Sequence, residues 1–471
     1  MDKFDLVIIG AGPGGTAAAF KAKQLGMSVC IIEKADVGGT CLNRGCIPTK
    51  TLLHGANLVA EVKDGSRYGL SGGENIGFDF GALTAWKNKV VETLRTGQTA
   101  GLKKAGVTLI QGTALIESVN SVNVTGCSTC EGGTCKIEAK NILVTAGTIP
   151  EHVPVEGHDL PHVYTSDAFL EGEGLFPKKL AIIGGGVIAI EFAFIYSALG
   201  SQVTLLVRRT PFADMDREIG QNTTLLLKKK GVMVQTLTKP VKFATEGDGV
   251  RVWTQTGEET GQKSLVVDAV LMAAGRKSTA KEIFSSGALP ALDEKGYIKT
   301  NENFETSVKG IYAAGDIVSG ATQLAHAASA TAEAAVEIIA GGHAPHKFVI
   351  PACVYTTPEI AQVGLSEDAA KKQNIPVICG KGVFGANGKA FLENQERGFI
   401  KLVFSADTQV LLGAQFYCNR ATDTIAWAAQ CVTSALTAAQ IKEAVLPHPS
   451  YCETIHTALN DAVLRGGLKI G

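Results

Sequence analysis

The chain has no surplus of either charge. Its 471 residues carry 44 Lys and Arg against 45 Asp and Glu, a formal net charge of -1. That balance argues against nucleic acid or an anionic membrane as a partner. No apolar run is long enough to span a bilayer. The longest, Leu180 to Tyr196, is broken by three glycines and Glu191. The N-terminus shows no charged start, long apolar stretch and small-residue cleavage site, so no signal peptide is expected. The 11 cysteines are odd in number and irregularly spaced. That usage fits mostly reduced thiols in a cytoplasmic protein, plus any specialised pair.

Glycine is abundant, with 54 residues, many at the ends of apolar runs. There the backbone turns sharply or approaches a ligand. Residues 5–9 read as a buried strand, 13–26 as a helix and 28–32 as a second strand. The same pattern returns at 180–183, up to Leu199 and at 203–207. The chain therefore repeats a nucleotide-binding βαβ unit. Between the two, 82–104 reads as a helix, and 107–125 and 134–146 as short strands. Residues 150–178, rich in Pro, His and Gly, read as a linker. A strand at 310–314 and an Ala-rich helix at 324–340 follow, and 347–471 read as a separate α+β region.

Gly10-Ala11-Gly12-Pro13-Gly14-Gly15 gives G-x-G-x-x-G between strand and helix, with Glu33 at the end of the next strand. Gly10 makes the turn, Gly12 admits a pyrophosphate and Gly15 lets helix and strand pack. Glu33 can accept from a ribose hydroxyl. A later strand ends in Gly315-Asp316, where the carboxylate can meet a ribityl chain, which favours FAD at this first unit. The second unit reads Gly184-Gly185-Gly186-Val187-Ile188-Ala189. Its strand ends at Val207, followed by Arg208-Arg209, where an NAD site would place an acid. Two cations there suit a 2′-phosphate and so NADP, with a solvated strand end and NAD as the alternative.

Cys41 and Cys46 flank four residues in Gly38-Gly39-Thr40-Cys41-Leu42-Asn43-Arg44-Gly45-Cys46-Ile47-Pro48-Thr49-Lys50. On a distorted helical turn two such sulfurs can bond, and the Lys50 cation favours thiolate. Near the C-terminus, His448 is bracketed by prolines and followed by Glu453, a pairing suited to moving a proton to and from a thiol. Cys127, Cys130 and Cys135 read as the tip of a hairpin. A metal site or a local disulfide is the alternative.

The cysteine segment resembles the class I flavoprotein pyridine nucleotide-disulfide oxidoreductases, and among them the dihydrolipoamide dehydrogenases. So do Thr145-Ala146-Gly147, Ala273-Ala274-Gly275-Arg276, Leu324-Ala325-His326, Tyr355-Thr356-Thr357-Pro358-Glu359 and His448-Pro449. The resemblance implies an α/β fold of two Rossmann-like domains, for FAD at 1–147 and for NAD(P) at 148–276. It also implies a central domain at 277–346 and an α+β dimerisation domain at 347–471. It implies that Lys34, Gly39, Thr40, Lys50, Ala114, Gly147, Asp316 and Ala325 join Gly10, Gly12, Gly14, Gly15 and Glu33 around FAD. Gly184, Gly186, Val187, Ile188, Arg208, Arg209, Gly275 and Arg276 would hold the nicotinamide nucleotide. Cys41 and Cys46 would form the redox pair, Glu191 would pair with Lys50, and His448 with Glu453 would come from the partner of a homodimer. The expected substrate is a dithiol: a lipoyl domain of a 2-oxoacid dehydrogenase or glycine cleavage complex, or a small disulfide in an NADPH-dependent reductase. Leu446, where that branch carries a second histidine, and Cys452, where a small polar residue is common, depart from the pattern.

Overall fold

The computed structural model describes residues 3–127, 130–171, 175–258, 261–345, 347–395, 397–465 and 467–468. The first apolar run forms strand β1 (Lys3–Ile9), whose last four residues are all buried. Helix α1 (Pro13–Gln24) follows, with proline in its first turn, where a missing N–H leaves nothing unsatisfied. Strand β2 (Val29–Glu33) then returns parallel to β1, Leu6 opposite Val29. Both strands are covered on both faces, which is why they read as unbroken Val/Ile runs. Helix α1 buries Ala18, Ala19 and Ala22, and the Ala-rich helix Ala325–Ile339 packs against it. The two approach so closely that a Cβ on Gly14 would stand 3.1 Å from the Ala328 carbonyl oxygen.

Two helices, α2 (Gly39–Arg44) and α3 (Cys46–Lys63), meet at Gly45, which leaves the helical region at φ -141°, ψ -109°. Helix α4 (Phe80–Lys104) is capped by Asp79, whose carboxylate accepts from the Ala82 N–H at 3.0 Å. Strands β3 (Thr108–Gln111), β4 (Thr113–Ser118), β5 (Ser121–Thr125) and β6 (Thr134–Val144) complete the sheet. Its order is β3-β2-β1-β6-β5-β4, and the distant strand Ile311–Ala313 adds to β6 in parallel.

The second βαβ unit builds a five-stranded parallel sheet. Its spatial order is Met233–Thr236, Gln202–Val207, Lys179–Ile183, Ala269–Met272, Val163–Thr165. The outermost strand corrects the reading of 150–178 as a linker. Val163–Thr165 is a strand and Ser166–Glu171 a helix. Three residues flanked by Pro, His and Gly carry no periodicity, and pairing with Ala269–Met272 makes them a strand. The chain leaves the first sheet along Thr148–Pro150 and returns along Arg276–Ser278, and these segments pair antiparallel with each other.

The C-terminal region is a five-stranded antiparallel sheet, ordered Ala352–Val354, Glu359–Gly364, Leu411–Cys418, Phe399–Ser405, Val377–Val383. Helix Glu453–Leu464 crosses the last of these, and a Cβ on Gly380 would meet the Ala462 methyl at 2.7 Å. Buried Lys401 reaches Asp216 of the second unit at 3.0 Å, an ion pair in which each charge depends on the other. No helix among the described residues is long and apolar enough to cross a membrane.

Tyr196 is the largest fully buried side chain of the second unit's core. Its ring lies 6.1 Å from Phe80, 5.7 Å from Phe169, 6.0 Å from Phe176 and 6.2 Å from Phe192. Its hydroxyl donates to the Leu175 carbonyl at 3.2 Å. Phe80 belongs to α4, so this cluster joins the first unit to the second. Tyr196→Ala is expected to cost ~3–5 kcal/mol through the cavity left behind. Tyr196→Phe, which loses only the hydrogen bond, should cost ~1 kcal/mol. Urea unfolding followed by circular dichroism measures both, and equal midpoints for the two variants would refute the packing role.

Candidate active site

A continuous cavity of about 1740 Å³ runs from the β1–α1 turn, past Cys41 and Cys46, to the second glycine-rich turn at Gly184–Ile188. That is more than one small ligand fills, and it suits two extended dinucleotides. At its first end Gly10 sits at φ +99°, and a Cβ there would stand 2.9 Å from the Thr145 carbonyl oxygen. Only glycine allows this turn. Glu33 is buried at the end of β2. Its carboxylate accepts the Ala11 N–H at 2.7 Å and the Ala35 N–H at 2.8 Å. Those bonds fix the carboxylate at the cavity wall. Gly12, Gly14, Lys34, Gly39, Thr40, Gly147, Asp316 and Ala325 line the same cavity. Burial holds the Asp316 carboxyl above its ordinary range, against the pull of Arg276.

Two residues expected at the FAD site do not line the cavity. Ala114 lies on β4 within the apolar core. Gly15 is buried beneath the turn, and a Cβ there would fall 2.8 Å from the Thr145 hydroxyl. Gly15 therefore serves helix–strand contact, the role the fingerprint assigns it.

The break at Gly45 places the two sulfurs. Cys41 lies in α2 and Cys46 opens α3, so the helix is broken between them. A Cβ on Gly45 would stand 2.8 Å from the Thr40 carbonyl oxygen and 3.2 Å from the Cys41 Cα. Both cysteines are thiols here, hydrogen-bonded to each other through sulfur. The Cys41 thiol donates and its own pKa is pushed up, chiefly because that bond and burial hold its proton. Cys46 is pulled down to about 7, chiefly by that bond and then by the Lys50 charge, against burial and Glu191. The first turn of α3 adds its own favourable field.

Lys50 and Glu191 meet as the sequence suggests, Nζ to Oε2 at 2.8 Å. Glu191 is 2% exposed. Its second oxygen accepts the Tyr355 N–H at 3.0 Å, and Lys50 lies 4.8 Å from the centre of the Tyr355 ring. The sequence reading gave Tyr355 no role, and the only signal for it is its place in the Tyr355-Thr356-Thr357-Pro358-Glu359 motif. Thr148 and Asp167 were missed as well. Arg276 donates to the Thr148 carbonyl at 2.7 Å and lies 3.7 Å from Asp167.

At the far end Gly184, Gly186, Val187, Ile188, Arg208, Arg209, Gly275 and Arg276 all line the cavity. Val207 is apolar and buried, so the strand end offers no hydrogen-bonding side chain to a ribose. Arg209 is held in a two-bond fork by Asp214, at 3.1 and 2.8 Å. Arg208 is exposed and forms no ion pair among the described residues. Lys239 lines the same cavity.

His448 Nδ1 bonds Glu453 Oε1 at 2.8 Å, and the Ser450 N–H donates to the other carboxylate oxygen at 2.8 Å. These contacts hold the Glu453 carboxyl below its ordinary range, the His448 bond most of all. Yet the pair lines a different surface depression, beside Asn387 and His456, and His448 is 78% exposed. One chain alone does not bring it to Cys41.

Residues 4–334 match the family model of pyridine nucleotide-disulphide oxidoreductases, and 350–459 match the dimerisation domain of the same family. The chain belongs to this family. It is 36% identical to a dihydrolipoyl dehydrogenase of Thermus scotoductus, over 97% of either chain. It is 34% identical to that of Trypanosoma brucei brucei, over 97% of this chain and 95% of the other. A HOCl-induced flavoprotein disulfide reductase from Escherichia coli superposes with a TM-score of 0.84 at 27% identity, covering 97% of this chain and 99% of that one.

In the reduced protein the Cys46 thiolate should appear with a midpoint near the value of about 7 given by its surroundings. Thiolate absorbance in the ultraviolet, followed against pH, reports it. Lys50→Met removes a stabilising positive charge and should move the midpoint up. An unmoved midpoint would show that Lys50 does not act on this sulfur.

Proposed function

We propose that the chain is a dithiol dehydrogenase that passes electrons through Cys41–Cys46 and FAD to a pyridine nucleotide, with dihydrolipoamide as substrate. The carrying observation is the hydrogen-bonded Cys41/Cys46 pair with its low Cys46 pKa, set beside the Lys50–Glu191 ion pair. The glycine turn at Gly10, the fixed Glu33 carboxylate and Asp316 fit FAD. When bound, it supplies a two-electron store between sulfur and nicotinamide. Relatives named dihydrolipoyl dehydrogenase, matched over nearly the full chain, support dihydrolipoamide over a small disulfide.

In the oxidised protein Cys41 and Cys46 share a bond. His448, held by Glu453, takes the proton of a substrate thiol. The substrate thiolate attacks Cys41 Sγ, and Cys46 leaves as a thiolate, a good leaving group at its lowered pKa. The second substrate sulfur then displaces Cys41: His448 delivers the first proton to the leaving Cys41 sulfur and takes the proton of the second thiol, which it afterwards releases to solvent. The substrate ends as a disulfide. The protein ends as the Cys41 thiol bonded to the Cys46 thiolate, the arrangement these surroundings favour. Lys50 holds charge at that sulfur, and Glu191 with Tyr355 holds Lys50.

The distant His448 supports a homodimer in which each site takes Cys41 and Cys46 from one chain and His448 from the other. The matched dimerisation domain supports the same reading. The partner we propose is a lipoyl domain of a 2-oxoacid dehydrogenase or glycine cleavage complex. Cys353, Cys379, Cys418 and Cys431 lie outside disulfides, which supports a reducing, cytoplasmic setting. Exposed Arg208, with Lys239 lining the same cavity, supports NADP. Arg209, already engaged by Asp214, adds less than the sequence implied.

His448→Gln should lower turnover by roughly 10²–10⁴-fold. Subunits carrying Cys41→Ser and His448→Gln, each inactive alone, should recover roughly one quarter of wild-type activity when assembled at random. Half of the dimers are then mixed, and each mixed dimer holds one intact site. No recovery, despite mixed dimers in native mass spectra, would sink the shared site. Arg208→Glu should cut kcat/KM for NADP relative to NAD by ~10-fold or more. An unchanged ratio would remove the 2′-phosphate role.

A further inference from the structure

The hairpin from β5 to β6 carries three cysteines that the redox chemistry above leaves unused. Cys127 is buried, and Cys130 and Cys135 are half-buried. Their sulfurs all lie within 4.8 Å of one another. Cys130 and Cys135 are bonded, and Cys127 Sγ lies 2.7 Å from Cys130 Sγ. The turn is built to hold them. The Cys127 N–H donates to the Gly133 carbonyl at 3.1 Å, and the Gly133 N–H donates to the Cys130 carbonyl at 3.0 Å. Gly132 and Gly133, at φ +68° and +71°, curl the backbone around the sulfurs. Cys135 is fixed in the ladder opposite Val124, over a core that includes Val122, Val124 and Ile137.

A disulfide accounts for two of these sulfurs, and Cys127 brings a third within 4.8 Å of both. Three sulfurs on one side of a tight turn stay together without repulsion when a cation lies between their thiolates. Among the described residues no His, Asp or Glu joins the cluster. The donor set is all sulfur, and the half-exposed side leaves room for water. We propose that the reduced hairpin binds one thiophilic d10 cation, of the Cu(I) or Zn(II) class, through Cys127, Cys130 and Cys135.

Forming the site opens the Cys130–Cys135 bond. A dithiol donor supplies two electrons and two protons and becomes a disulfide itself. Binding then releases the three thiol protons to solvent. The proposal stands apart from the proposed function, since neither the cavity nor His448 takes part in it.

The test uses the full chain with Cys41→Ser and Cys46→Ser, so that the central dithiol cannot bind metal. After anaerobic reduction with an excess of dithiothreitol and its removal, the protein is titrated with Cd(II). Expected is one equivalent bound, with thiolate-to-metal absorption in the ultraviolet. Adding Cys127→Ser or Cys130→Ser, each of which leaves two sulfurs, should weaken binding by roughly 100-fold and lower the absorption. Should those variants fail to fold, alkylation of the unmutated hairpin decides. Bound Cd(II) is expected to protect all three cysteines from iodoacetamide, read by peptide mass. No bound equivalent, binding indifferent to Cys127, or three cysteines alkylated in the presence of Cd(II) would each overturn the proposal. A bonded Cys130–Cys135 that survives reduction would do the same, leaving a structural disulfide.

Discussion

One buried carboxylate ties the architecture to its chemistry. Glu191 comes from the second unit's helix, Lys50 from α3 of the first unit, and Tyr355 from the segment that begins the C-terminal sheet. A carboxylate with almost no solvent contact is tolerable only where a cation and a hydrogen-bond donor both reach it. Satisfying it therefore requires three distant stretches of chain to arrive together. Their arrival sets the Lys50 charge near both sulfurs, where it favours thiolate, while the bond between the two cysteines decides which of them holds it. Neutralising Glu191 would free Lys50 from its fixed position and disturb the charge at Cys46 together with it.

The break at Gly45 does the complementary work for the sulfurs. A continuous helix would direct residues 41 and 46 to different faces, because five residues turn well past a full revolution. Two helices meeting at a glycine outside the helical region break that geometry within one residue. The requirement falls on Gly45, whose Cβ would press on the Thr40 carbonyl and the Cys41 backbone.

Much of this was legible in the sequence because local chemistry dictates it. Gly10 must be glycine at its positive φ, Glu33 must end its strand, and the Val/Ile runs must be doubly covered strands. Both βαβ units accordingly appear with bounds within about two residues of the reading. Elements that exist only through long-range pairing were hidden. Val163–Thr165 is a strand because Ala269–Met272 accepts it, and no periodicity within three residues could say so. Ala114 was expected in the cofactor site but faces the core, since a family resemblance does not reveal which way a strand residue points. Tyr355 acts through its backbone N–H, which no side-chain pattern advertises. The exposed position of His448 follows from the fold of one chain, while its proposed partner site belongs to two.

The paired ribbon of Thr148–Pro150 with Arg276–Ser278 has a further consequence. The whole second unit is inserted between two neighbouring strands, so its ends leave and rejoin the first sheet at adjacent points. A module whose ends coincide can be gained, lost or exchanged without reordering the sheet that carries it. The duplicated pattern along the chain is then the mark of one fold set inside a loop of another. What binds host and guest is a short seam of side chains: the aromatic cluster around Tyr196 and the ion pair at Glu191.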